Sequence, residues 1–186
     1  MIRGTSHSIS SLAEDLFAKY CADLLERNSR TQVLIDPQIS FKISGLKNKS
    51  GKRPLLVRPD ICFLKDNEVT KIFDIKTDLG YKRKEIINQA GDLKKLVSKI
   101  KGKNATVNLE NEERKIRISK TLQEFIVVVS GAENSGNIKE TKAIIKRKHK
   151  INMLILAKGD HLNTYKPNPK FKLTSDFNSL DSFIRK

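Results

Sequence analysis

The sequence predicts an α/β fold of the mixed α+β kind, a central mixed β-sheet flanked by helices in a single domain. Three observations predict it. Apolar residues recur at helical spacing in separate stretches. Short β-branched and aromatic runs first follow one another and are later separated by those helices. The 186 residues suffice for one sizeable core but are short for two.

Ser11-Leu-Ala-Glu14 reads as a capping box, and Leu12, Leu16, Phe17, Tyr20, Leu24 and Leu25 carry a helix to about Arg27. Glu14 and Asp15 then sit in its first turn, where carboxylates suit the positive helix end. From Thr31 to Ile43, Val33, Ile35, Ile39, Phe41 and Ile43 alternate, with a kink at Asp36-Pro37. The next loop, GLKNKSGKR, fails as a phosphate-binding loop: five residues separate Gly45 from Gly51 where four are needed, and Arg53 replaces the hydroxyl residue. It remains a basic loop, with Lys52 and Arg53 able to meet a phosphate backbone or merely solvent.

Leu55–Leu64 and Val69–Thr77 read as two strands of a hairpin, because Asp66 and Asn67 between them tolerate left-handed backbone angles. Period-2 alternation puts Ile72, Asp74 and Lys76 on one face and Phe73, Ile75 and Thr77 on the other. Ile86, Ala90, Leu93, Val97 and Ile100 then mark a helix ending near Gly102, its other face basic through Lys82, Arg83, Lys84, Lys94 and Lys95. Residues 103–120 suggest a protruding hairpin over a nucleic-acid groove. Phe125–Val129 reads as a strand buried on both faces, Ile138–Lys150 as a short basic helix, Ile151–Ala157 as another strand, and Phe177, Leu180, Phe183 and Ile184 as a closing helix. The core thus spans about 11–158 and the closing segment about 159–186.

Lys and Arg number 37 against 21 Asp and Glu, a formal charge of +16. That excess suggests a polyanionic partner, most simply nucleic acid, although a lysine-rich solvated surface has the same composition. Cys21 and Cys62 lack metal or redox spacing and read as buried thiols. With no membrane-length apolar run and no signal-like N-terminus, the expected location is cytoplasmic. His7, His149 and His161 have neither HExxH spacing nor cysteine partners for zinc.

Pro59-Asp60 followed after thirteen residues by Asp74-Ile75-Lys76 resembles the motif of the PD-(D/E)xK nuclease superfamily. The element order, αβββαβ followed by αβα, is similar to that superfamily's restriction-endonuclease-like core. The likeness covers about Ser11 to Val129. It implies a Mg²⁺-dependent DNA endonuclease, with Mn²⁺ able to substitute, and a homodimer if both strands are cut. Restriction-type cleavage comes first; a Holliday-junction resolvase or a phage or repair nuclease of the same fold comes second. A nucleic-acid-binding or assembly protein that keeps the fold without cleavage is the competing class.

The resemblance makes Asp60 and Asp74 metal ligands, with the Ile75 backbone carbonyl as a third and Glu14 from the first helix as a further one. Lys76 would orient the attacking water and stabilise negative charge. Gln89 resembles a glutamine that some branches place near the site, without the aromatic that should follow it. The chemistry explains the residue types: phosphodiester hydrolysis needs charge neutralised on phosphate oxygens and a hydroxide-like nucleophile near neutral pH, and Mg²⁺ held by a few carboxylate oxygens supplies both. Asp78, Tyr81, Lys82 and Arg83 follow the motif either as phosphate contacts or as a turn into the next helix.

Overall fold

The computed structural model describes residues 9–25, 30–78, 83–109, 112–131, 138–158 and 180–184. Helix α1 (Ile9–Leu25) is followed by strands β1 (Thr31–Ile35), β2 (Ile39–Ser40), β3 (Leu56–Val57), β4 (Ile61–Lys65) and β5 (Glu68–Asp78). Then come α2 (Arg83–Ile100), β6 (Asn104–Leu109), β7 (Glu112–Gly131), α3 (Ile138–His149), β8 (Asn152–Lys158) and the one-turn α4 (Asp181–Ile184). Among the described residues these eight strands form one mixed sheet in the order β1-β4-β5-β7-β6-β2-β3, with β8 also paired to β7.

The strand expected over Thr31–Ile43 is one strand broken in two. Asp36 takes a positive φ of 46° and is followed by Pro37, which has no N–H for a ladder. The partner strand breaks opposite it, over Arg58, Pro59 and Asp60. Pairing keeps its register across both breaks, from Ile35 opposite Ile61 to Ile39 opposite Val57. The Asp36 N–H donates to the Asp60 carbonyl at 2.7 Å and ties the bends together. Beyond the bend β2 turns to pair with β6, Ile39 opposite Val107, and β6 leads through β7 back to β5 and β4. Three residues join β1 to β2 and three join β3 to β4, a reach of only about 10–14 Å. The sheet therefore curls back on itself.

That curl overturns the expectation of a protruding hairpin over 103–120. The hairpin forms, but Ala105, Val107, Ile116 and Ile118 are buried with Phe41, Val57 and Leu64, under Val97 and Ile100 of α2. The alternating apolar residues face an interior rather than a groove. Gly102, at φ +72°, ends α2 in the left-handed conformation expected of a residue just past a helix.

The β4–β5 hairpin is the expected one: Lys65 pairs with Glu68 around a two-residue turn, with φ of 49° at Asp66 and 64° at Asn67. From Phe125 onward β7 lies between β5 and β8, parallel to both, and is buried on both faces as its apolar run suggests. The α1 face holds Phe17, Phe63, Phe73, Phe125 and Val127; the other holds Ile126, Val128 and Met153 under α2 and α3.

Phe73 is the centre of the first core. Its ring stacks on Phe125 at 5.0 Å and 15°, meets Phe17 edge-on at 5.3 Å and lies 5.0 Å from Phe63. Lys71 on the same strand face is buried, and its ammonium donates at 2.7 Å to the carbonyls of Phe183 and Ile184, closing the C-terminal end of α4. Phe73→Ala should destabilise the protein by about 3–5 kcal/mol, since the cavity opens among three aromatic rings that cannot collapse together. Chemical denaturation monitored by circular dichroism checks this; a loss below about 1 kcal/mol would contradict the packing.

Candidate active site

The break that bends the sheet also exposes backbone. β4 pairs with β5 only as far as Ile61 opposite Phe73. Continuing that register would put Asp60 opposite Asp74 and Pro59 opposite Ile75. Pro59 and its neighbours instead bend away, so the Ile75 N–H on that side has no ladder carbonyl. Asp60 supplies the missing acceptor: its Oδ2 takes the Ile75 N–H at 2.5 Å. A side chain thereby replaces a strand, as a buried amide requires.

The motif's other members lie beside this bond. Asp74 and Lys76 alternate with Ile75 along β5, on the face toward α2, and Lys76 Nζ donates to Asp74 Oδ1 at 2.8 Å, both side chains about one quarter exposed. The Asp60 carboxyl is pushed up to about 7: burial raises it most, the Ile75 N–H lowers it, the Asp74 and Glu14 carboxylates raise it, and the Lys76 ammonium lowers it. Asp60 thus feels the charges of Asp74, Glu14 and Lys76 together.

Glu14 reaches it for a reason the sequence conceals. Helix α1 already includes Ile9, and its first turn holds no acid, so the capping-box reading of Ser11 and Glu14 is corrected. Glu14 lies further along the helix, which packs its Phe17 against Phe73 of β5.

The other expected residues are scattered. Gln89 donates to Glu85 at 3.0 Å on α2, while its Oε1 is buried without a hydrogen-bond partner. Arg83 pairs with Glu140 of α3 at 2.6 Å. Lys94 is drawn inward to Glu124, a buried acid also approached by Lys101 at 3.9 Å, because an ionised carboxylate at that depth needs a counter-charge. Lys84 and Lys95 are exposed, Lys95 standing 3.4 Å from Asp92. Lys52 and Arg53 are exposed on the loop whose Lys47 carbonyl accepts from Lys99, at the far end of α2. Sixteen residues of helix separate Lys99 from Arg83, roughly 24 Å, so that loop does not join the motif residues. Lys82, Tyr81, His7, His161 and Phe177 lie outside the described residues, as does most of the closing segment.

The donors suit a hard divalent cation in kind. Asp60 and Asp74 each spend one oxygen on the bonds above, and Glu14 adds a third carboxylate to a unit whose mutual repulsion a cation would relieve. Among the described residues, however, no three His, Cys, Asp or Glu side chains stand grouped as a ready metal cage. Mg²⁺ does not require one: it is commonly bound through one or two carboxylates, completing its shell with water and substrate phosphate.

The class these features define is a mixed α/β protein carrying a carboxylate–lysine cluster where a strand pair splays. No protein-family model, curated protein or solved structure matches the chain. No helix among the described residues is long and apolar enough to cross a membrane.

The raised Asp60 sets a sign for stability. Between about pH 4 and pH 7 the folded protein holds a proton on Asp60 that the unfolded chain has lost, so the stability this group contributes at low pH disappears as pH rises through about 7. Asp60→Asn keeps the acceptor and removes the penalty. Its melting temperature should exceed the wild type's by a margin that grows between about pH 4 and pH 7 and then levels, with a ceiling of about 2 kcal/mol after solvent screening. A pH-independent margin would show that Asp60 is not held protonated by its surroundings.

Proposed function

We propose that the protein is a metal-dependent endodeoxyribonuclease with a restriction-endonuclease-like core. The observation that carries this reading is the junction of Asp60, the Ile75 amide, Asp74 and Lys76 where β4 and β5 part. The chain order is compatible with it only when the additional strands β2, β3 and β6 are set aside: α1, β1, β4, β5, α2 and β7 then follow the helix, three strands, helix and strand that the resemblance implies.

In this reading Asp60, Asp74 and Glu14 hold Mg²⁺, or Mn²⁺ in its place, with the Ile75 carbonyl as a further oxygen donor. The bound ion supplies positive charge for the phosphate oxygens and acidifies a water. Lys76 does the rest of the positioning. Its ammonium, fixed by Asp74, donates to the attacking water or to the phosphate oxygen that gains charge. The Ile75 N–H holds Asp60 so that its second oxygen stays turned to the same place. DNA is the proposed substrate and a homodimer the proposed assembly where both strands are cut.

One observation favours a second reading. With Lys76 already paired to Asp74 and no three-residue metal cage among the described residues, the site also suits a nucleic-acid-binding protein that does not cleave. A single assay separates the two. Supercoiled plasmid, a four-way junction and a structured RNA, each incubated with Mg²⁺ or with chelator, should show Mg²⁺-dependent cleavage of DNA. Asp74→Asn and Lys76→Ala should lower that rate about 10²-fold or more. Cleavage that ignores both substitutions, or no cleavage at all, sinks the nuclease.

A further inference from the structure

The sequence points to the basic face of α2 as the phosphate-binding surface, but apart from the exposed Lys84 the cations of α2 have partners. Arg83 pairs with Glu140, Lys94 and Lys101 with Glu124, and Lys95 with Asp92, while Lys99 donates to a backbone carbonyl. Helix α3 differs. Lys139, Lys142, Lys146, Arg147 and Lys148, with Lys150 just beyond the helix, are all exposed, and among the described residues none forms an ion pair; Lys146 donates to the Asn152 side chain at 2.6 Å. The one acid in the helix, Glu140, is neutralised by Arg83.

We propose that the outer face of α3 is the surface that binds a nucleic-acid phosphate backbone. Its inner face is fixed to the core by Thr141 and Ile145, both fully buried. Its direction is set by two contacts with α2: Arg83 meets Glu140 near the start of both helices, and the His149 ring packs against Gly91 further along. The helices therefore run side by side in one direction, and both begin at the edge where β5 and β7 end, the edge that carries Asp74 and Lys76. Twelve residues of helix make a rod about 18 Å long, which spans roughly five phosphates of one strand at 3.4 Å each along the axis. Charge density of one sign, fixed on a rigid element and not cancelled internally, selects a polyanion of regular spacing.

This surface is the substrate-holding counterpart of the proposed nuclease site and rests on that reading for its DNA partner, but its test does not depend on cleavage. The affinity of the full chain for a fluorescein-labelled 30-base-pair duplex is measured in chelator across a salt series. Lys142→Gln/Arg147→Gln/Lys148→Gln should lower affinity at least tenfold at about 100 mM salt and reduce the slope of log K against log[salt] by about 2–3. Lys142→Arg/Lys148→Arg should bind as the wild type does, and Lys95→Gln/Lys99→Gln on α2 should change the slope by less than about 1. An unchanged slope in the triple variant, with its melting temperature intact, overturns the assignment even if the enzyme cleaves DNA. No duplex binding by the wild type overturns it too. Binding that depends on α3 without metal-dependent cleavage upholds it and removes the nuclease reading.

Discussion

Asp60 holds the Ile75 amide, and much of the structure follows from that one bond. A sheet that curls back on itself must break its ladders somewhere, and each break leaves backbone groups that cost about 1–3 kcal/mol if buried without a partner. Here the break falls at Asp36 and at Pro59-Asp60 on paired strands. The Asp36 N–H is satisfied by the Asp60 carbonyl and the Ile75 N–H by the Asp60 carboxylate. One residue thus closes both ends of the gap.

The same bond places a carboxylate where it is least comfortable. It is largely buried, and the carboxylates of Asp74 and Glu14 both raise its pKa. Burial and like charge both penalise the ionised form, and a neutral acceptor could have filled the gap without that penalty. An asparagine would serve the amide as well.

Much of this was legible in the sequence, and what was not has identifiable causes. The β4–β5 hairpin, α2 and the twice-buried segment of β7 follow from local chemistry: Asp66-Asn67 at a tight turn, apolar residues from Ile86 to Ile100 at helical spacing, and a continuous apolar run. Alternation puts Asp74 and Lys76 on one strand face, where the two are ion-paired, while the bond of Asp60 to the Ile75 N–H depends on the break in β4 and has no local signal. The curl was hidden because it depends on β2 meeting β6, a pairing between segments some 65 residues apart, which alternation within each segment cannot reveal. Glu14 was legible as an acid on the first helix but misplaced as a cap, since a sequence shows where a capping pattern is possible and not where the helix starts. Lys94 was misread because a lysine on a polar helix face looks solvated until the buried acid beneath it, Glu124, is known.

The distribution of charge carries the last step. The chain has a formal charge of +16, yet Asp60 feels the carboxylates of Asp74 and Glu14 against the ammonium of Lys76, so its surroundings among the described residues are locally acidic inside a basic protein. Had a second lysine from α2 reached the cluster, it would have relieved the repulsion and left no demand for a cation. Instead the nearby cations are held elsewhere, Arg83 by Glu140 and Lys94 by Glu124. In the proposed reading this separation would let one surface attract a polyanion while the acidic site beside it attracts a divalent cation, because the described cations of α2 nearest its start and its middle are already paired with Glu140 and Glu124.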